Sequence, residues 1–259
     1  MTNSKYPLLF LAHGSPMNAI EDNPFSRDWH KLYIGTPSPK AVIVISAHWE
    51  SNGTYITHHR SPPTLHDFSG FPAQLNQLRY ACPGAPILAE EVHRRVPSIQ
   101  LDQQRGLDHG CWSLMNQLFP RANIPTLQIS LNRKLSPQQH WDLAKQLKWL
   151  RQEEVLILCS GNIVHNIAAW QAWMSGNIND VTWAGSFDKT IYNALKNSDT
   201  SSLIHYSEHY GSELSVPTAE HYLPLIYADA IRDKKDPLIS STPSINSFEA
   251  SCSRSIRFG

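Results

Sequence analysis

The chain has 259 residues, with 22 basic and 22 acidic side chains and a formal net charge of zero. That balance excludes the basic field a nucleic-acid backbone requires, and an aromatic content of 10 % supplies core material that a disordered chain lacks. The longest apolar runs fall short of the ~20 residues of a membrane-spanning helix and no charged-then-apolar leader opens the chain, so residues 1–259 are expected to form a single cytoplasmic catalytic domain.

Leu8–Ala12 and Ala41–Ser46 are short runs of Leu, Val and Ile, the pattern of strands buried on both faces of a mostly parallel sheet. Between Ser61 and Pro72, proline, aromatic and polar residues mix in a loop of the kind that often walls a site. Helices are expected over Pro86–Val96 and Cys111–Phe119. Thr126–Leu131 alternates, which predicts a strand with one wetter face. Pro137–Arg151 reads as a helix, with Ser136 as its cap and Pro137 at the first helical position. A strand over Val155–Cys159, helices over Trp183–Asn197 and His221–Ala230, and a last strand within Ser247–Phe258 complete the order. Strands alternating with helices predict an α/β fold, a single domain with a mostly parallel central mixed sheet flanked by helices.

The four cysteines, Cys82, Cys111, Cys159 and Cys252, have no C-x-x-C spacing and read as reduced thiols. Thirteen histidines carry more information. His13 follows the first strand, His48 the second and His165 the fourth, and groups just beyond the carboxyl ends of parallel strands converge on one crevice. His221 opens an apolar helix and His109 lies in the turn before another. Imidazole is the commonest protein metal ligand and titrates near neutral pH, so such a cluster supplies both ligands and an acid–base group. Spacing alone does not divide those roles. His66, beside Asp67, is a candidate wall of the pocket, whereas His30, His58, His59, His93, His140, His205 and His209 read as structural. No G-x-S-x-G, G-x-G-x-x-G, Walker loop or H-E-x-x-H occurs.

Six segments, in order, resemble the class III extradiol ring-cleavage dioxygenases, in the 4,5-DOPA extradiol dioxygenase-like branch. They are His13-Gly14-Ser15-Pro16-Met17, Ser46-Ala47-His48-Trp49, Pro62-Pro63-Thr64 with His66-Asp67-Phe68, Asp108-His109-Gly110, Ser160-Gly161-Asn162 with His165-Asn166, and Glu220 to Leu225. The resemblance implies a non-haem Fe(II) enzyme, with Zn(II) as an occupant in some members. It places His13, His48 and His221 at metal-binding positions, His165 at a position that is either a further ligand or the acid–base group, and His109 beside the substrate. Glu220 adjoins His221, but neighbours on a helix point about 100° apart, so His221 is taken as the ligand. The implied reaction opens the ring of a DOPA-like catechol with O2 to give a semialdehyde, with His165 as proton shuttle and His66, Phe68, Trp112 and Tyr222 as pocket walls. A zinc-dependent hydrolase with a metal-activated water is the alternative, and a non-catalytic metal-binding protein a third reading. The expected partners are the catechol and O2, with neither nucleic acid nor membrane, and the sequence specifies no oligomeric interface.

Overall fold

The computed structural model describes residues 5–243, 248 and 253–259. Among these, the strands are β1 (Leu8–Leu11), β2 (Ala41–Ser51), β3 (Thr54–Thr57), β4 (Ile99–Asp102), β5 (Thr126–Asn132), β6 (Val155–Ser160), β7 (Leu238–Ser241) and β8 (Ser255–Phe258). They form one sheet in the order β4-β3-β5-β2-β6-β1-β8-β7. Its centre, β5-β2-β6-β1, is parallel. Antiparallel pairings join β3 to β5 and β8 to both β1 and β7, which makes the sheet mixed, as expected.

Both faces of the centre are covered, which is why β1, β6 and the first half of β2 show no polar alternation. Leu8, Phe10, Ile43 and Ile45 pack on one side with the helices Thr182–Lys196 and Leu223–Ile231. Leu9, Leu11, Val42 and Val44 pack on the other with the helices Pro24–Tyr33 and His109–Leu118. Burying each such side chain stabilises the fold by roughly 1.5–3 kcal/mol, and a slipped strand gains no solvent face in return. The register therefore fixes the sheet's upper rim. Ser160, the last residue of β6, is in register with Leu11 at the end of β1 and with Ser46, beyond which β2 continues to Ser51, so His48 lies within β2 rather than after it as expected. His13 and His48 each lie two residues beyond that line.

Several expectations are corrected. The wetter face predicted for β5 is absent: Gln128 and Ser130 are fully buried. Ser130 Oγ accepts from Ser51 Oγ (2.7 Å) and Tyr55 N (2.8 Å), and Gln128 Nε2 donates to Asp108 Oδ2. The polar positions thus build an internal network rather than meeting water. The helix predicted over Pro137–Arg151 has its Ser136–Gln139 capping box but ends at Lys145, and a 3-10 turn over Lys148–Glu153 keeps Leu150 buried while turning Arg151 inward. His221 lies in a separate 3-10 turn, Ala219–His221, before the helix Leu223–Ile231. Pro224 explains the break, because proline lacks the N–H a continuous helix would need and fits only its first turn. Of the last predicted strand, Ser255–Phe258 is observed, and residue 247 and residues 249–252, with Cys252, lie outside the described residues. Among the described residues, no helix is long and apolar enough to cross a membrane.

Candidate metal centre and active site

Above the Leu11–Ser160–Ser46 line, His13, His48 and His221 meet with their ligand atoms all within 4.8 Å of one another. His13 Nε2 and His48 Nε2 are 3.0 Å apart. Small residues make the approach possible. A Cβ on Gly110 would lie 2.5 Å from Ser46 Oγ and 3.0 Å from the His48 ring, and one on Gly161 would lie 2.3 Å from the His221 carbonyl oxygen. That same carbonyl accepts from Asn162 N at 2.8 Å, which ties the His221 turn to the loop after β6.

Neighbouring groups fix the protonation of the rings. Ser160 Oγ donates its single proton to Gly110 O at 2.6 Å, so it can only accept from His13 Nδ1, 3.0 Å away. The His13 proton is therefore on Nδ1, and Nε2 carries a free lone pair. At His221, Nδ1 donates to Glu220 Oε1 at 3.0 Å, and Nε2 is buried without a partner. On His48, Nδ1 faces Asp67 Oδ2 at 3.7 Å, while Nε2 faces His13. The buried His221 Nε2, an acceptor without a donor, costs about 1–3 kcal/mol. A divalent cation among the three imidazoles would relieve that penalty, and an all-imidazole donor set suits Fe(II) or Zn(II).

Electrostatics keep the three imidazoles in the form that can bind a metal. Burial and then the neighbouring imidazoles, His48 first, push His13 well below the usual histidine range. His48 is lowered by burial and then by His109, and His221 by burial against the opposing pull of Glu220. Neutral imidazole is the form that binds metal, so protons compete weakly here. Burial opposes ionisation of Glu220, but hydrogen bonds led by that from His221 outweigh it and hold the carboxyl at about 2.

Two further histidines flank the trio. His109 begins a helix whose N-cap, the buried Asp108, accepts from Cys111 N (3.1 Å) and Ser46 Oγ (2.8 Å). Asp67 Oδ1 receives both His109 N (3.0 Å) and His109 Nδ1 (2.9 Å), which leaves the ring's Nε2 as an acceptor, and the ring lies 3.8 Å from that of His48. His165 stacks face to face on His221, with centroids 3.4 Å apart and planes within 8°. Its ligand atoms group with those of His221 and Glu220, not with those of His13 and His48. Burial first, then His221, lowers its pKa to about 3.

The predicted walls separate into three kinds. Phe68 packs 5.7 Å from His109, and His66 lies 5.9 Å from Phe68 with its Nε2 against Leu78 O at 3.0 Å. Trp112 is fully buried beneath them and donates Nε1 to Leu65 O at 2.8 Å, so it supports the loop from below. Tyr222 is not a wall. It is fully buried, donates to Leu203 O at 3.1 Å and packs on Tyr206, because the residue after His221 turns away into the core. Sequence reasoning missed the groups that orient the rings: Ser160, Asp67 and Glu220. The carboxylates directly beside His66 and His221 were the available signal.

Comparison with known proteins identifies the family. Residues 7–244 match the family model described as the catalytic LigB subunit of aromatic ring-opening dioxygenase. The chain is 39 % identical to a 4,5-DOPA dioxygenase extradiol of Escherichia coli (strain K12) over 245 residues, 92 % of this chain and 89 % of that protein. It is 34 % identical to one from Beta vulgaris over 226 residues, 83 % of each. The crystal structure of an uncharacterized protein from Escherichia coli K12 superposes with a TM-score of 0.79 at 33 % identity, covering 98 % of this chain and 100 % of that one. These likenesses support extradiol ring opening and give none to a zinc hydrolase. The chain belongs to the family of the catalytic LigB subunit of aromatic ring-opening dioxygenases, metal-dependent oxidoreductases that act on catechols with O2.

Proposed function

We propose that the chain is an Fe(II)-dependent enzyme that opens the ring of a catechol with a DOPA-like side chain, His13, His48 and His221 holding the metal. The convergence of His13, His48 and His221, with ligand atoms within 4.8 Å of one another, carries this reading, and the 39 % identical 4,5-DOPA dioxygenase extradiol suggests the substrate. The metal, when bound, would supply Lewis-acid activation of the catechol hydroxyls and an electron path to dioxygen. His165, neutral and stacked on His221, takes the proton released by a catechol hydroxyl and returns it as the ring opens. His109, its Nδ1–H committed to Asp67, presents Nε2 to the second hydroxyl. Phe68 and His66 provide the wall against which the aromatic ring lies. The free thiols Cys82, Cys111 and Cys159, all buried, suit a reducing cytoplasmic compartment.

Anaerobic loading with Fe(II), followed by oxygenated DOPA and a panel of other catechols, tests the assignment. The expected result is uptake of one O2 per catechol with a new yellow absorbance, and little turnover with Zn(II) in place of Fe(II). Absence of O2 consumption across the panel with the Fe(II)-loaded enzyme would overturn it.

A further inference from the structure

A cavity of about 790 Å3 opens at the amino ends of β1 and β6, the opposite end of the sheet from the histidines. Seven basic side chains line it against three acidic ones, in a chain whose total charges balance. The floor is built and rigid. Arg151, only 1 % exposed, donates to Tyr6 O (2.7 Å) and Asp236 (2.5 Å), and the buried Arg232 donates to Asp229 Oδ1 (2.9 Å) and Leu195 O (2.9 Å).

Charge pairing at the rim is incomplete. Lys5 and Lys148 share one carboxylate, that of Asp233. Lys145, Lys234 and Lys235 are exposed and have no carboxylate partner among the described residues, although Lys145 lies 5.2 Å over the Trp141 ring. The helix Leu223–Ile231 ends here, and its carbonyl end attracts cations, but that end is worth only about half a negative charge against a surplus of four. Like charges gathered in a concave site focus a positive field outward and repel one another unless an anion joins them. One small anion would leave most of the surplus unmatched in a cavity of this size, whereas a short chain of linked phosphates matches it in charge. Lysine ammonium groups suit phosphate oxygens as point charges.

We propose that this cavity is a second site that binds an oligophosphate, with Lys145, Lys234 and Lys235 as the groups that capture it. The experiment is calorimetric titration of the full-length, metal-loaded protein with inorganic tripolyphosphate and, in parallel, with adenosine triphosphate. The variant is Lys145→Ser/Lys234→Ser/Lys235→Ser, whose exposed positions lie outside the catalytic machinery, so its catechol turnover should stay at the wild-type level. Binding to wild type that weakens between about 50 and about 300 mM salt, and falls by roughly tenfold or more in the triple variant, is the expected result. Equal affinities for the two ligands assign recognition to the phosphate chain alone, and tighter nucleotide binding adds Trp141 as a face for the base; either supports the site. No heat at millimolar ligand, or unchanged affinity in the triple variant, overturns it. Binding that survives in the triple variant and disappears in His13→Ala would place the anion at the metal centre and overturn it as well.

Discussion

Glu220 tests whether the groups behind the imidazoles set metal affinity. Its carboxylate accepts from His221 Nδ1 at 3.0 Å and is held in turn by Thr218 Oγ1 at 2.8 Å. A hydrogen bond to a charged acceptor is worth about 1.5–3 kcal/mol and one to a neutral acceptor about 0.5–1.5 kcal/mol. Glu220→Gln keeps an acceptor but removes the charge, so zinc affinity should fall by about 1–1.5 kcal/mol, roughly 5- to 12-fold. Glu220→Ala removes the acceptor and leaves Nδ1–H unpaired on a ring that is 5 % exposed, for about 2–3 kcal/mol, roughly 30- to 150-fold. With its pKa at about 2, the carboxylate is ionised at every pH where metal binding can be measured, so the ranking should not invert in mild acid. Competition for Zn(II) against a chromophoric chelator, with thermal melts to confirm folding, gives the three constants. Indistinguishable affinities, or a Gln variant weaker than the Ala variant, would refute the reasoning.

Four further outcomes follow from the same geometry. His165→Ala should retain the metal while turnover falls roughly 10²- to 10⁴-fold, and loss of metal on elemental analysis would make His165 a ligand. Asp67→Asn keeps an oxygen for His109 but turns an amide N–H towards His48 Nδ1, so turnover should fall roughly 10- to 100-fold with the melting temperature little changed. Tyr222→Phe removes one buried hydrogen bond, so denaturant titration should find a loss of about 1 kcal/mol and steady-state kinetics an unchanged KM. His140, fully buried against Tyr227, has its pKa lowered by burial from 6.5 to about 4. The unfolded chain therefore binds the proton first: stability is complete above pH 6.5 and declines as the pH falls towards 4, by about 3 kcal/mol. His140→Gln should flatten that part of a stability profile measured by urea denaturation, and an unchanged slope would exclude His140 as its source.

β1, β6 and the first half of β2 were legible because burial on both faces leaves a continuous apolar run. The sheet's edges were not. β3 (Thr-Tyr-Ile-Thr), β4 (Ile-Gln-Leu-Asp) and β7 (Leu-Ile-Ser-Ser) are each four residues long, too short to display a period, and pairing with neighbours supplies what their composition does not. The alternation of β5 was real, but periodicity reports polarity rather than solvent. Gln128 reaches Asp108 instead of water, and a single sequence does not distinguish those destinations. The helix Pro24–Tyr33 did carry its signals, Asn23 as cap and Pro24 in the first turn, with Phe25, Trp29 and Leu32 at helical spacing.

At the site, the approach of His13 and His48 was legible because the register of β1, β6 and β2 brings them to one rim, while His221 joins them from the turn Ala219–His221. What orients them was hidden, since it depends on where a side chain folds back rather than on spacing. Glu220 was set aside as a ligand because adjacent residues diverge, yet its carboxylate curls round to the far nitrogen of the neighbouring ring. Tyr222, on the other side of the same histidine, obeys the divergence and points into the core. A local rule thus holds for a rigid aromatic ring and fails for a flexible acid. The consequence is chemical. Glu220 and Asp67 each stand behind an imidazole, so two negative charges face the position of a divalent ion without occupying its coordination sphere. A cation held by the three imidazoles would have its charge matched through their far nitrogens, by hydrogen bonds to the carboxylates rather than by carboxylate ligands.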